Sequence, residues 1–149
     1  MKPRQRRSNN VPKILVAHDA SEGAKKAFAT ALDLAVLCHA ELETISIVEV
    51  HSHFAATVGE VSEEKEEETK TYAQLKEEIG RMAAARGISV RSATKIGHEV
   101  ETLINHVRDG GFDLLVVGFM GHSRAFGRIW GGTSQNLART APCSVLIVK

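Results

Sequence analysis

Asp113-Leu114-Leu115-Val116-Val117-Gly118-Phe119-Met120-Gly121, followed by Gly131-Gly132-Thr133 and then Ser134-Gln135-Asn136-Leu137-Ala138-Arg139-Thr140, decides how this chain reads. Residues 113–117 form a short apolar run, the pattern of a strand buried on both faces of a parallel sheet. Residues 134–140 read as a helix. Between them lies a glycine-bearing loop, so a strand end is joined to a helix start. There an α/β protein presents free backbone N–H groups and the positive end of a helix dipole to an anion, with phosphate the first candidate.

Working outward, the same alternation recurs along the chain. Lys13–Ala17 is an apolar run that turns at His18-Asp19-Ala20-Ser21, and Ser21 is a helix N-cap candidate. From Glu22 to His39, Ala27, Phe28, Ala31, Leu32, Leu34 and Ala35 recur at helical spacing. Glu41–Val50 reads as a second strand, and His51–Glu60 as a loop. A long helix is expected over 62–86, acidic at its start (Ser62 to Glu68), with Tyr72, Leu75, Ile79 and Met82 as its apolar stripe. Gly87 stops it. Ile88–Ile96 reads as a third strand. Glu99–Asp109 reads as a helix with Val100, Leu103, Ile104 and Val107 inward, and Ser144–Val148 as the closing strand. The order β-α-β-α-β-α-β-α-β implies α/β, a mostly parallel sheet with helices on both faces. Ligands of such sheets sit outside the carboxyl ends of the strands. Asp19 and the glycine loop both fall at such ends, although periodicity does not say whether strands one and four are neighbours.

Composition limits the alternatives. At 149 residues the chain is one domain, and 43% hydrophobic content supports a core. A formal net charge of +1 gives no global signal for nucleic acid or a membrane. Lys2, Arg4, Arg6 and Arg7 make residues 1–12 a flexible basic tail ahead of a domain over 13–149. Cys38 and Cys143 form no disulfide framework or metal knuckle and are expected to be small buried hydrophobes. His51 and His53 lack a third ligand nearby and read as solvent histidines. No segment suits a bilayer span or a signal peptide, so a cytoplasmic protein is expected.

The loop chemistry is specific enough to nominate residues. Gly118 and Gly121 allow a sharp turn and close approach of a ligand to the main chain. The amides of Gly132, Thr133 and Ser134 are first-turn donors without intrahelical partners, and Thr133 and Ser134 add hydroxyls. His122, Arg124 and Arg128 could meet phosphate charge. Phe126 and Trp130 are expected to pack rather than stack on a base. The loop is neither a Walker loop nor a Gly-x-Gly-x-x-Gly dinucleotide turn.

Taken together, these residues resemble the universal stress protein family over about residues 13–149. The similarity rests on Lys13-Ile14-Leu15-Val16-Ala17-His18-Asp19-Ala20-Ser21, on Asp113–Gly118, on the closing Ala141-Pro142-Cys143-Ser144-Val145-Leu146-Ile147-Val148-Lys149, and on one spacing. The family's nucleotide-binding subgroup carries Gly, two residues, Gly, nine residues, Gly, then Ser or Thr. Gly118, Gly121 and Gly131 stand at the three glycine positions. The resemblance implies a five-stranded parallel sheet of order 3-2-1-4-5 with four helices. It implies ATP in the crevice between strands one and four, often with Mg²⁺ or Mn²⁺. Asp19 would face adenine with main-chain help from Ala17, His18 and Ile47. Gly118, Gly121 and Gly131 would surround ribose and phosphates, with Thr133 and Ser134 at the phosphate end. Gly132 departs from the pattern, because it removes a hydroxyl. One neutral hydrogen bond is worth roughly 0.5–1.5 kcal/mol, so affinity falls by about tenfold at most.

Three functions follow from this reading. The first is an ATP-binding, nucleotide-dependent stress-response regulator. The second is a nucleotide-independent interaction module. The third, ranked lowest, is a weak ATPase or adenylyl-transfer enzyme. No residue is nominated as catalytic, since the loop holds no lysine, no paired carboxylates and no arranged base. The apolar strand 144–148 would be an open sheet edge, which invites pairing. With the family resemblance it implies a homodimer through that strand. The protein partner downstream is unspecified, and neither nucleic acid nor membrane is expected as one.

Overall fold

A computed structural model describes residues 11–49, 58–119 and 132–149, the side chains of 58–65 excepted. The elements run β1 (Lys13–Ala17), α1 (Glu22–Cys38), β2 (Glu41–Val48), α2 (Val58–Ala85), β3 (Val90–Ile96), α3 (Glu99–Gly110), β4 (Leu114–Gly118), α4 (Gly132–Thr140) and β5 (Ser144–Val148). The strands form one parallel sheet in the order β3-β2-β1-β4-β5, with β1 between β2 and β4. The expected α/β fold, strand order and helix number are therefore observed.

The alternation of side chains along each strand divides the core into two layers. Ile14, Val16 and Val116 point to the face covered by α1 and α2, where they meet Phe28, Leu32, Leu75 and Ile79. Leu15, Leu115 and Val117 point to the other face and meet Leu103, Val107, Phe112 and Leu137. The middle strands are covered on both sides, which is why they read as unbroken apolar runs. Three helix ends show how local chemistry sets the boundaries. Ser21 Oγ accepts from the Ala24 N–H at 3.2 Å and starts α1. The N–H of Gly87 reaches the carbonyl of Ala84, and that of Ile88 reaches Ala83, so α2 closes with the paired bonds of a Schellman motif. Gly111, in the left-handed region, caps α3.

Several expectations change. Helix α2 begins at Val58, four residues earlier than the acidic run suggested, and takes in Gly59 from the expected loop. Ile88 belongs to the closure of α2, so β3 starts at Val90. Cys38 is exposed rather than buried, because the last turn of α1 runs past the core and Leu37 there is 75% exposed. Cys143 is half-buried. Met82 is exposed, since the α2 stripe continues from Ile79 by four residues to buried Ala83, not by three. The first ten residues of the basic tail, and His51 and His53, lie outside the described residues. Among the described residues no helix is long and apolar enough to cross a membrane.

Candidate functional site

Strand order reverses between β1 and β4: the chain leaves β1 toward β2 and leaves β4 toward β5. In sheets of this kind the binding crevice lies at such a switch point, outside the carboxyl ends of the strands. Several of the groups that reach it do so because a strand has just ended.

After β1, His18 turns inward and is 3% exposed. Its Nδ1 accepts from the Ala20 N–H at 3.1 Å, so the ring proton sits on Nε2 and the imidazole is neutral. Burial pushes its pKa down from 6.5 to about 4, against the pull of Asp19 and Glu78. The main chain of His18 is held by β2: its N–H donates to the Ile45 carbonyl at 2.9 Å and its carbonyl accepts from Ser46 Oγ at 2.8 Å. Asp19 Oδ1 accepts from the Ser21 N–H at 3.0 Å, fixing the turn into α1. Ala17 is the last residue of β1 and pairs with Ile45, so Ile47 lies two residues beyond the end of β1, on the rim.

After β4, Gly118 has a role besides any contact with ligand. A Cβ there would lie 2.7 Å from the carbonyl carbon of Gly23 and 2.8 Å from its oxygen. Only glycine lets the end of β4 reach the first turn of α1 this closely. Gly132, by contrast, opens α4 with nothing among the described residues within 4 Å of where a Cβ would stand. Ser134 is buried and Thr133 half-buried in the same turn. Gly121, His122, Arg124, Phe126, Arg128, Trp130 and Gly131 lie outside the described residues.

Three further groups reach the crevice, and the motifs of the sequence do not nominate them. Glu99 opens α3, three residues past the end of β3 at Ile96 by way of Gly97 and His98, and its Oε2 accepts from Thr133 Oγ1 at 3.2 Å. Glu49, just past β2, accepts from the Glu99 N–H at 3.3 Å and caps α3, whose own N-cap residue His98 makes no side-chain cap. Tyr72 of α2 is half-buried. Electrostatics tie these groups to Asp19. Burial, then the charges of Asp19 and Glu49, holds the Glu99 carboxyl above the ordinary carboxylate value, while the Thr133 bond works the other way. The Tyr72 hydroxyl is pushed up by burial first and then by Glu68, Asp19 and Glu99. The signal for Glu99 and Glu49 was positional: Glu49 stands immediately after β2 and Glu99 three residues after β3, in a fold that gathers strand ends. Among the described residues no group of three His, Cys, Asp or Glu side chains could hold a metal ion.

The model of the universal stress protein family matches residues 10–149. A universal stress protein of Bacillus subtilis, YxiE, is 30% identical over 151 residues, which cover 92% of this chain and 98% of the relative. Among solved structures, UspA from Lactobacillus plantarum superposes with a TM-score of 0.82 at 21% identity, covering 95% of this chain and all of that one. A universal stress protein crystallised in complex with cAMP gives a TM-score of 0.70 at 26% identity, covering 93% of this chain and 97% of that one.

Proposed function

This chain belongs to the universal stress protein family, and on that premise we propose that it binds an adenine nucleotide, ATP first, between the ends of β1 and β4 and acts in the cytoplasm as a nucleotide-dependent stress-response regulator. One observation carries the reading. In the sequence, the spacing Gly118-x₂-Gly121-x₉-Gly131 runs from the last residue of β4 to the residue just before Gly132, which opens α4. Its two ends thus belong to a switch-point strand and to a helix N-terminus, the two features that suit a phosphate. Asp19 stands across that crevice as the acceptor for the adenine amino group, with the main chain of Ala17, His18 and Ile47 beside it. Thr133 and Ser134, with the amides from Gly132 on, receive the phosphates, joined by His122, Arg124, Gly121 and Gly131. The related protein bound to cAMP supports the ligand class.

The residues fit such a ligand. Among the described residues nothing lies within 4 Å of where a Cβ at Gly132 would stand, which suits a phosphate at the first turn of α4. Mg²⁺ or Mn²⁺ would arrive with the phosphates and neutralise their charge. No catalytic step is assigned to the chain. The test is calorimetric titration of nucleotide-free protein with ATP and Mg²⁺. Saturable heat is expected below millimolar ATP, and none at millimolar ATP would end the reading. A second reading, a nucleotide-independent interaction module, draws on the missing hydroxyl at Gly132. It predicts protein that purifies without nucleotide and never gains any.

A further inference from the structure

The hydrogen bond from Thr133 to Glu99 poses a question that nucleotide binding leaves open. Thr133 lies in the first turn of α4, where the proposed function places phosphate, yet its hydroxyl proton already points at a carboxylate oxygen 3.2 Å away. A phosphate arriving at this turn meets an acceptor with the same need for the Thr133 proton and a charge of the same sign. We propose that Glu99 is a specificity-determining residue of the crevice: its carboxylate, seated on the first turn of α4 through Thr133, sets how much phosphate charge the site accepts. The proposal rests on the nucleotide reading and adds to it a preference for nucleotides of low charge, or for polyphosphate whose charge a divalent cation has neutralised.

Geometry fixes Glu99 in that position. Its backbone N–H is held by Glu49 at 3.3 Å, so the residue is anchored at both ends, by β2 through its main chain and by α4 through its side chain. The backbone anchor keeps the carboxylate beside the first turn of α4 when a ligand competes for the Thr133 proton. The side chain is half-buried, so solvent screens it only in part. The described groups facing it are Asp19 from the end of β1, Glu49 from the end of β2, Tyr72 from α2 and Thr133 from α4. None of these is a cation, so nothing among them offsets a bound phosphate. The raised carboxyl pKa of Glu99 records the same crowding of negative charge. Removing the charge while keeping the shape should favour phosphate-bearing ligands selectively, and replacing the repulsion with a donated hydrogen bond should shift the balance by about tenfold.

The experiment titrates adenosine, AMP and ATP, all in EDTA, into the wild-type protein, Glu99→Gln and Glu99→Asp. The measured quantity is the ratio of ATP affinity to adenosine affinity. It should rise about tenfold in Glu99→Gln, with AMP intermediate, and stay within about twofold of wild type in Glu99→Asp, which keeps the charge. A ratio unmoved in Glu99→Gln overturns the proposal, and so does an equal rise in Glu99→Asp, which would trace the effect to shape. Should Glu99→Gln fail to fold by circular dichroism, Glu99→Ala removes the same charge and leaves Thr133 in place. It must raise the ratio; an unchanged or lowered ratio overturns the proposal. If no protein binds any of the three ligands and the wild type also gives no heat with ATP and Mg²⁺, the nucleotide reading falls with it, whereas binding with an unmoved ratio removes Glu99 alone.

Discussion

At His18 a ring that could ionise is sealed into the core beside Phe28, their centroids 6.2 Å apart. The sequence shows a histidine next to an aspartate after an apolar strand, which gives no sign of burial. Its inward turn follows from β2 holding both its N–H and its carbonyl. The consequence is a pH dependence whose sign can be worked out. The folded-state pKa, about 4, lies below the ordinary 6.5, so between those values the unfolded chain binds more protons than the folded one. The stabilisation is complete above pH 6.5 and is lost as pH falls toward 4. The shift from 6.5 to about 4 is worth about 3 kcal/mol when fully lost, and most of it has gone by pH 4.5. Glu99 acts with the opposite sign, since a raised carboxyl favours the fold below its ordinary value and loses that contribution as pH rises. Urea unfolding at pH 7 and pH 4.5 separates the two. In His18→Asn, whose side-chain oxygen can still accept from Ala20, the stability lost between these pH values should shrink by about 2 kcal/mol. An equal loss in both proteins would show that His18 does not carry the acid sensitivity.

Among the elements, α4 carries the clearest consequence. It opens on Gly132, where the related nucleotide-binding pattern has a hydroxyl, and no described residue lies within 4 Å of a Cβ placed there. Gly132→Ser therefore adds a donor at the phosphate end without a clash among the described residues. ATP affinity should rise by up to about tenfold while adenosine affinity moves far less. Parallel titrations of the two ligands check this, and an equal gain for both would mean that the hydroxyl acts on helix stability instead of on phosphate. Every element was legible from the sequence, because Ser21, Gly87, Gly97 and the pair Gly110-Gly111 punctuate runs of clear period. Boundaries were less legible where two signals compete. Helix α2 starts at Val58, since the acidic run from Ser62 that favours a helix start also suits a helix already under way. Ile88 has the composition of a strand but serves as the apolar residue that closes the α2 Schellman motif.

For the whole molecule, sequence periodicity cannot supply what the topology adds. Period is a property of a few neighbouring residues, whereas the adjacency of β1 and β4 joins positions about a hundred residues apart, and it came from resemblance alone. The site divides the same way. Gly118 and the first turn of α4 could be nominated from a local motif, but Glu49 and Glu99 meet only because β2 ends where α3 begins, and Tyr72 feels Glu99 only because α2 packs beside them. The two open edges of the sheet also acquire meaning at this scale. Edge strand β3 carries Arg91 and Lys95 among Ser92 and Thr94, and Arg91 reaches Glu41 and Glu43 of β2. Charges of that kind guard an edge against pairing. Edge strand β5, Ser144-Val145-Leu146-Ile147-Val148, has no charge within it, and its four apolar residues remain partly exposed although they pack on both core layers. The asymmetry favours β5 as the pairing edge, so we propose a homodimer through residues 144–148. Light scattering at high micromolar concentration should then give twice the 16.2 kDa of the chain. Hydrogen exchange tests the surface itself. Alternate amides of an edge strand point away from its neighbour and exchange fast in a monomer. In the dimer all amides of β5 should be slow, while the outward amides of β3 stay fast. A monomer mass, or fast alternate amides in β5 at the same concentration, would rule this interface out.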